Sequence, residues 1–213
     1  MDLAHYTRYF QTVEINNSFY KLPSREVFET WRDATPENFV FAVKAGRFIT
    51  HMKKLKDAGP AFDRFLNNVV GLGNKLGPVL FQLPPTWNLN LERLESFLKV
   101  LHKDLRYAFE FRNETWYVDA VYKLLGKYNC SFCIYELNGH LSPSEITADF
   151  VYVRLHGPGG KYQGSYNNTV LTEWAERIDG WSKNGKDVYL YFDNDDSAYA
   201  VANALTIKEK RLF

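Results

Sequence analysis

No stretch of this chain stays apolar for the roughly 18 to 20 residues that a bilayer crossing demands, and its start holds no basic region followed by an apolar one. Those absences argue against a spanning helix and a secretory leader, and we expect a cytoplasmic protein with no membrane partner. Net charge is nearly absent as well: 26 Lys and Arg against 25 Asp and Glu leave +1. With no polybasic surface overall, an anionic partner must be held by a local cluster. Cysteine is scarce. Cys130 and Cys133 have the C-x-x-C spacing of a redox pair or half a zinc site, yet they open a strand-like run, and no second pair exists to complete a metal centre. Both are expected to be core thiols. Four N-x-[ST] matches, at Asn16, Asn113, Asn129 and Asn167, carry meaning only in a secreted chain and are read as chance.

What the chain has is apolar residues, 46% of the total, spread over 213 residues without a linker-like stretch. One domain, 1–213, is expected. Helical periodicity runs over Leu3 to Phe10, Arg25 to Asp33, Pro60 to Leu72, Leu91 to Leu101, Val118 to Lys127, Leu171 to Lys183 and Ser197 to Lys208, with Ser24, Asn90, Thr169 and Asp196 as caps. Between these lie short runs rich in β-branched and aromatic residues: Thr12 to Asn16, Phe39 to Lys44, Val79 to Gln82, Tyr107 to Phe111, Phe132 to Glu136, Phe150 to Leu155 and Val188 to Phe192. Repeated βα units mean a parallel sheet.

Each of these strands stops at a polar or charged residue: Glu14 and Asn16, Lys44, Gln82, Glu110 and Arg112, Glu136, Arg154 and His156, Asp193 and Asn194. A doubly wound sheet places its ligand at one switch point and does not need this at nearly every strand. A barrel gathers the carboxyl ends of its strands at one mouth, so the even distribution favours a TIM-type α/β barrel. Strand parity puts Thr12, Glu14 and Asn16 on one face, and likewise Val40, Ala42 and Lys44; Leu80 and Gln82; Ala108, Glu110 and Arg112; Tyr152, Arg154 and His156. For Glu136 and for Asp193 against Asn194, parity leaves the face undecided.

The runs TVEINNSFYKLP (Thr12 to Pro23), FAVKAGRFITH (Phe41 to His51), LGPVLFQLPP (Leu76 to Pro85), FEFRNETW (Phe109 to Trp116), DFVYVRLHGP (Asp149 to Pro158) and YLYFDND (Tyr189 to Asp195) closely resemble the DUF72, or YecE-like, family. The resemblance implies a TIM-type barrel of unestablished activity, and it adds Asn194 to the site. Members ordinarily begin with a strand carrying a Gly-x-Ser-Gly-Trp-like motif, whereas this chain starts in what reads as the following helix, Asp2 to Phe10. Seven of eight strands are therefore recognisable, and the domain is N-terminally incomplete relative to the family. Either the true start lies upstream of Met1 or the barrel has an open seam; the first is favoured. Where relatives often carry His-Pro-Ser, this chain has Asn113, Glu114 and Thr115.

Glu110, His156 and Lys44 are the candidate catalytic residues. Glu110 sits among cations that set its protonation, His156 has the imidazole pKa suited to proton transfer, and Lys44 would grip an anionic oxygen or form a Schiff base. Substrate-binding candidates are Glu14, Asn16, Tyr20, Gln82, Arg112, Trp116, Arg154, Gly157 and Asn194. The segment from His156 to Lys161 follows the seventh strand in barrel numbering, where glycines often let backbone N–H groups approach a phosphate. Structural readings stand beside these: an ion-pair network for Glu110, a plain turn for the glycines, core packing for the aromatics. No cofactor is expected. A divalent metal on Glu14, Glu110, His156 and Asp193 is chemically feasible, but Lys44, Arg112 and Arg154 would repel it. Two functions follow: a hydrolase or lyase for a phosphorylated, sugar-like or nucleotide-like substrate, or a non-catalytic single-stranded nucleic-acid binder using Arg47, Lys53, Lys54, Lys56 and Lys161. The oligomeric state is not legible.

Overall fold

The computed structural model describes residues 3–211; Asp2, where the first helical pattern begins, lies outside them. Contacts group the chain into two compact units, Met1–Cys130 and Ser131–Phe213. Among the described residues no helix is long and apolar enough to cross a membrane.

The first unit holds β1 (Thr12–Ile15), β2 (Val40–Lys44), β3 (Leu76–Leu83) and β4 (Tyr107–Phe111), paired in that order and all parallel. Five α-helices accompany them: α1 (Leu3–Tyr6), α2 (Arg25–Asp33), α3 (Gly59–Val69), α4 (Leu91–Leu98) and α5 (Asp119–Lys127). Register sorts the side chains cleanly. Glu14 lies beside Ala42, Lys44 beside Leu80, Leu80 beside Ala108 and Gln82 beside Glu110, so the expected polar set shares one face. The other face is apolar and largely aromatic, because alternation sends Phe81, Tyr107 and Phe109 the opposite way. There Phe62 of α3 and Phe97 of α4 pack on Phe81 at 5.7 and 5.0 Å between ring centroids. Burying each such ring contributes about 1.5–3 kcal/mol, which is why short helices suffice to hold the sheet. At the irregular register between β2 and β3 a Cβ on Gly77 would stand 2.5 Å from Val40 Cγ1, so only glycine admits this approach.

The second unit holds three parallel strands, β5 (Ser131–Leu137), β7 (Phe150–Leu155) and β8 (Asp187–Phe192), with α6 (Asn168–Lys183) and α7 (Tyr199–Lys210). A two-residue strand, β6 (His140–Leu141), returns antiparallel on β5. Its turn is Asn138-Gly139, both left-handed at φ 53° and 74°, the pair that a two-residue hairpin requires. Sequence periodicity did not reveal β6, since two residues show no period.

The TIM-type α/β class expected from the sequence, with seven parallel strands among the described residues, is the fold observed. Expected element boundaries shift by a few residues. Asn90 caps α4 by accepting from Arg93 N at 2.9 Å, but α6 is capped by Asn167, which accepts from Val170 N at 2.9 Å, and not by Thr169. Cys130 and Cys133 are both buried thiols, and burial pushes Cys130 up to about 12.

Candidate functional site

In the first unit the polar face of the sheet ends in a cluster built on Glu110. Its carboxylate is fully buried and accepts a hydrogen bond from Arg112 Nε, itself nearly buried. Both project from the same face because they are two residues apart at the end of β4. Lys44, at the end of β2, places its ammonium 4.5 Å from the centre of the Phe19 ring, a cation–π contact. Phe19 is set by a 3-10 turn, Asn17–Phe19, which Ser18 fastens by donating to Lys44 O at 2.7 Å.

The other edge of Phe19 meets a residue that the sequence reading passed over. His51 stands edge-on to the Phe19 ring at 5.0 Å, with Nδ1 2.9 Å from Thr50 Oγ1. Its pKa is lowered to about 4, first by burial and then by the positive charges of Lys44, Arg47 and Arg112. It is therefore neutral at pH 7. His51 reaches this position on a π-helical turn, Phe48–Met52, a geometry that no periodicity announces.

The other first-unit candidates scatter. Gln82 is half-buried and donates to Leu83 O at 3.1 Å. Glu14 and Asn16 line a cavity of about 350 Å³ beside β1 with Leu3, Trp31 and Phe41, and Asn16 Oδ1 is buried there without a hydrogen-bond partner. Tyr20 is 84% exposed. Trp116 is not available for stacking on a ligand: it is fully buried, donates to Trp87 O at 2.7 Å and stacks on Phe111. Asn113 accepts from Thr115 N and donates to Pro85 O, so it fixes a turn.

In the second unit the strand ends form a charge network. Arg154 lies beside Tyr135 on one side and Tyr191 on the other, which places Asp193 on Arg154's face and resolves what parity left open. Arg154 Nη2 donates to Asp193 Oδ2 at 2.6 Å, and His156 Nδ1 lies 3.2 Å from the same oxygen. His156 Nε2 lies 3.4 Å from Arg154 Nη1. A guanidinium only donates, so a hydrogen bond between Arg154 and His156 needs Nε2 as its acceptor. His156 is fully buried.

Two further candidates here are also committed to the fold. Gly157 N–H donates to Tyr166 Oη at 3.0 Å. Its φ of +104° and the 2.2 Å that would separate a Cβ from Gln163 O make it a turn glycine, not an open anion cradle. Asn194 lies on the opposite parity from Asp193; it donates to Gly164 O at 2.8 Å and to Asn203 Oδ1 at 3.0 Å, tying the glycine loop to α7. Glu136 falls on this side too, hydrogen-bonded to Tyr166, and burial raises its pKa. Among the described residues no three His, Cys, Asp or Glu side chains gather as a metal set.

The sequence profile described as "Protein of unknown function DUF72" matches residues 1–212. The chain belongs to the DUF72 family. Among curated DUF72 relatives, UPF0759 protein YunF of Bacillus subtilis (strain 168) is 28% identical over 240 residues, spanning 97% of this chain and 85% of YunF. UPF0759 protein YecE of Escherichia coli (strain K12) is 32% identical over 116 residues, 54% of this chain and 43% of YecE. A DUF72 crystal structure from Enterococcus faecalis V583 superposes with a TM-score of 0.86 at 21% identity, covering 100% of this chain and 89% of that one. Another, from Thermotoga maritima MSB8, gives 0.83 at 24%, covering 98% and 90%. At these identities the likeness shows the DUF72 fold alone.

Proposed function

We propose that this DUF72 protein is an acid–base enzyme, a hydrolase or lyase, for a small phosphorylated, sugar-like or nucleotide-like substrate, with Glu110 as the proton-transfer group. The single observation that carries this reading is the state of His51: three cations, Lys44, Arg47 and Arg112, act together on one half-buried imidazole. Positive charge gathered at one pocket attracts an anion, and because Arg112 is paired with Glu110, that anion competes with the carboxylate for it.

Chemistry follows from how Arg112 is shared. A substrate phosphate that takes up Arg112 and Lys44 loosens the hold on Glu110, whose carboxylate then accepts a proton from water or from carbon. In hydrolysis that proton returns to the leaving oxygen; in elimination it leaves with the departing group. Lys44 acts as the anion grip, since a cation–π contact favours its charged form. His156, sealed against Arg154 and Asp193, is a positioning residue in this reading.

The test is a thermal-shift screen of sugar phosphates and nucleotides, because a ligand selective for the folded state raises Tm. We expect hits among anions, weakened at least tenfold by Lys44→Met. Glu110→Gln should abolish turnover of the best hit while leaving its binding in place. A panel without a single shift, or turnover that survives Glu110→Gln, overturns the proposal.

A further inference from the structure

Backbone strain marks the segment after β2. Directly after the π-turn Phe48–Met52, Lys54, Leu55 and Asp57 adopt left-handed φ values of 48°, 63° and 46°. Non-glycine residues hold such angles where the surroundings over-determine them, and π-turns and strain of this kind gather at functional sites. This segment forms one wall of a groove of about 670 Å³.

Three large side chains of the groove face solvent: Tyr20, Phe48 and Met52, exposed by 84%, 48% and 68%. Around them stand Arg47, Lys53 and Arg64, against one carboxylate, Asp57. Lys53 Nζ lies 5.8 Å from the Phe48 ring centre, so charge and ring are offered side by side. In a chain of net charge +1, this is a local cationic strip with aromatic faces, distinct from the buried Glu110 pair.

We infer that the groove binds single-stranded nucleic acid, phosphates on Arg47, Lys53 and Arg64 and bases stacked on Tyr20 and Phe48. Alternating aromatic platforms and cations suit a strand whose bases are unpaired. A duplex hides its base faces, and an acidic peptide would satisfy the cations while leaving both rings without a flat partner. A membrane surface would need a convex apolar face, whereas this site is concave.

The probe is a short fluorescein-labelled oligothymidylate followed by fluorescence anisotropy. We expect binding at low salt whose log K falls with log salt at a slope of about −2, from three phosphates at about −0.7 each. Tyr20→Ala and Phe48→Ala, both at exposed positions where unchanged circular dichroism is expected, should each weaken binding about tenfold or more. Arg64→Ala should flatten the slope by about 0.7. Glu110→Gln should leave affinity unchanged, which separates this site from the acid–base reading. No anisotropy change at low salt, wild-type affinity in the two aromatic variants, or equal competition by polyglutamate would each overturn it.

Discussion

Two histidines show what separates the two units. His51 in the first unit is half-buried and surrounded by an excess of cations, with its pKa lowered to about 4. His156 in the second is fully buried between Arg154 and Asp193, where cation and carboxylate balance. One histidine is held neutral by burial and neighbouring positive charge; the other lies between charges of both signs. A histidine in the sequence is thus no guide to chemistry until the charges around it are known.

The comparison is broken most forcefully by removing a partner from the His156 network. Asp193→Ala removes the carboxylate to which Arg154, 2% exposed, donates at 2.6 Å, and breaking a buried pair costs about 3–5 kcal/mol. Urea unfolding should show that loss; a change below about 1 kcal/mol, the range of exposed pairs, would mean that the network is not self-contained. The open cluster should respond in titration. In Lys44→Met the His51 pKa should climb from about 4 towards the ordinary 6.5 without reaching it, because burial is its largest cause; two-dimensional NMR of the imidazole reads this directly, and an unmoved pKa would detach Lys44 from the cluster.

The smallest effect is on stability against pH. A histidine with a lowered folded pKa binds fewer protons folded than unfolded between about 4 and 6.5, so its contribution is complete above that window and is lost as pH falls through it. Glu136, raised by burial, has the reverse sign: it favours the fold at low pH, and that contribution fades as pH rises past its folded pKa. Melting curves across this range should therefore flatten on the acid side in His51→Asn and gain a steeper acid limb in Glu136→Gln. Identical pH profiles for both variants would erase the distinction.

Why the first unit was readable and the second less so follows from their sheets. Glu14, Lys44, Gln82 and Glu110 alternate with an apolar, largely aromatic face, so parity alone separated ligand side from helix side. In β8 both parities are apolar, Tyr189 and Tyr191 against Leu190 and Phe192, and only pairing with Arg154 assigned Asp193. Element order was legible because βα repeats punctuate themselves with polar strand ends. His51 was not, since its turn has no sequence period, and neither was the burial of Trp116, since an aromatic beside a strand end reads alike whether it packs inward or stacks on a ligand.

That π-turn makes chain length itself a variable of recognition. Loss of a single residue between Phe48 and Met52 would let the backbone close as an ordinary α-turn, swinging each later side chain by about 100°. His51 and Lys53 would then point elsewhere while the strands before and after kept their register. Insertions and deletions of one residue here, more than substitutions, are the changes that would re-aim the groove's side chains.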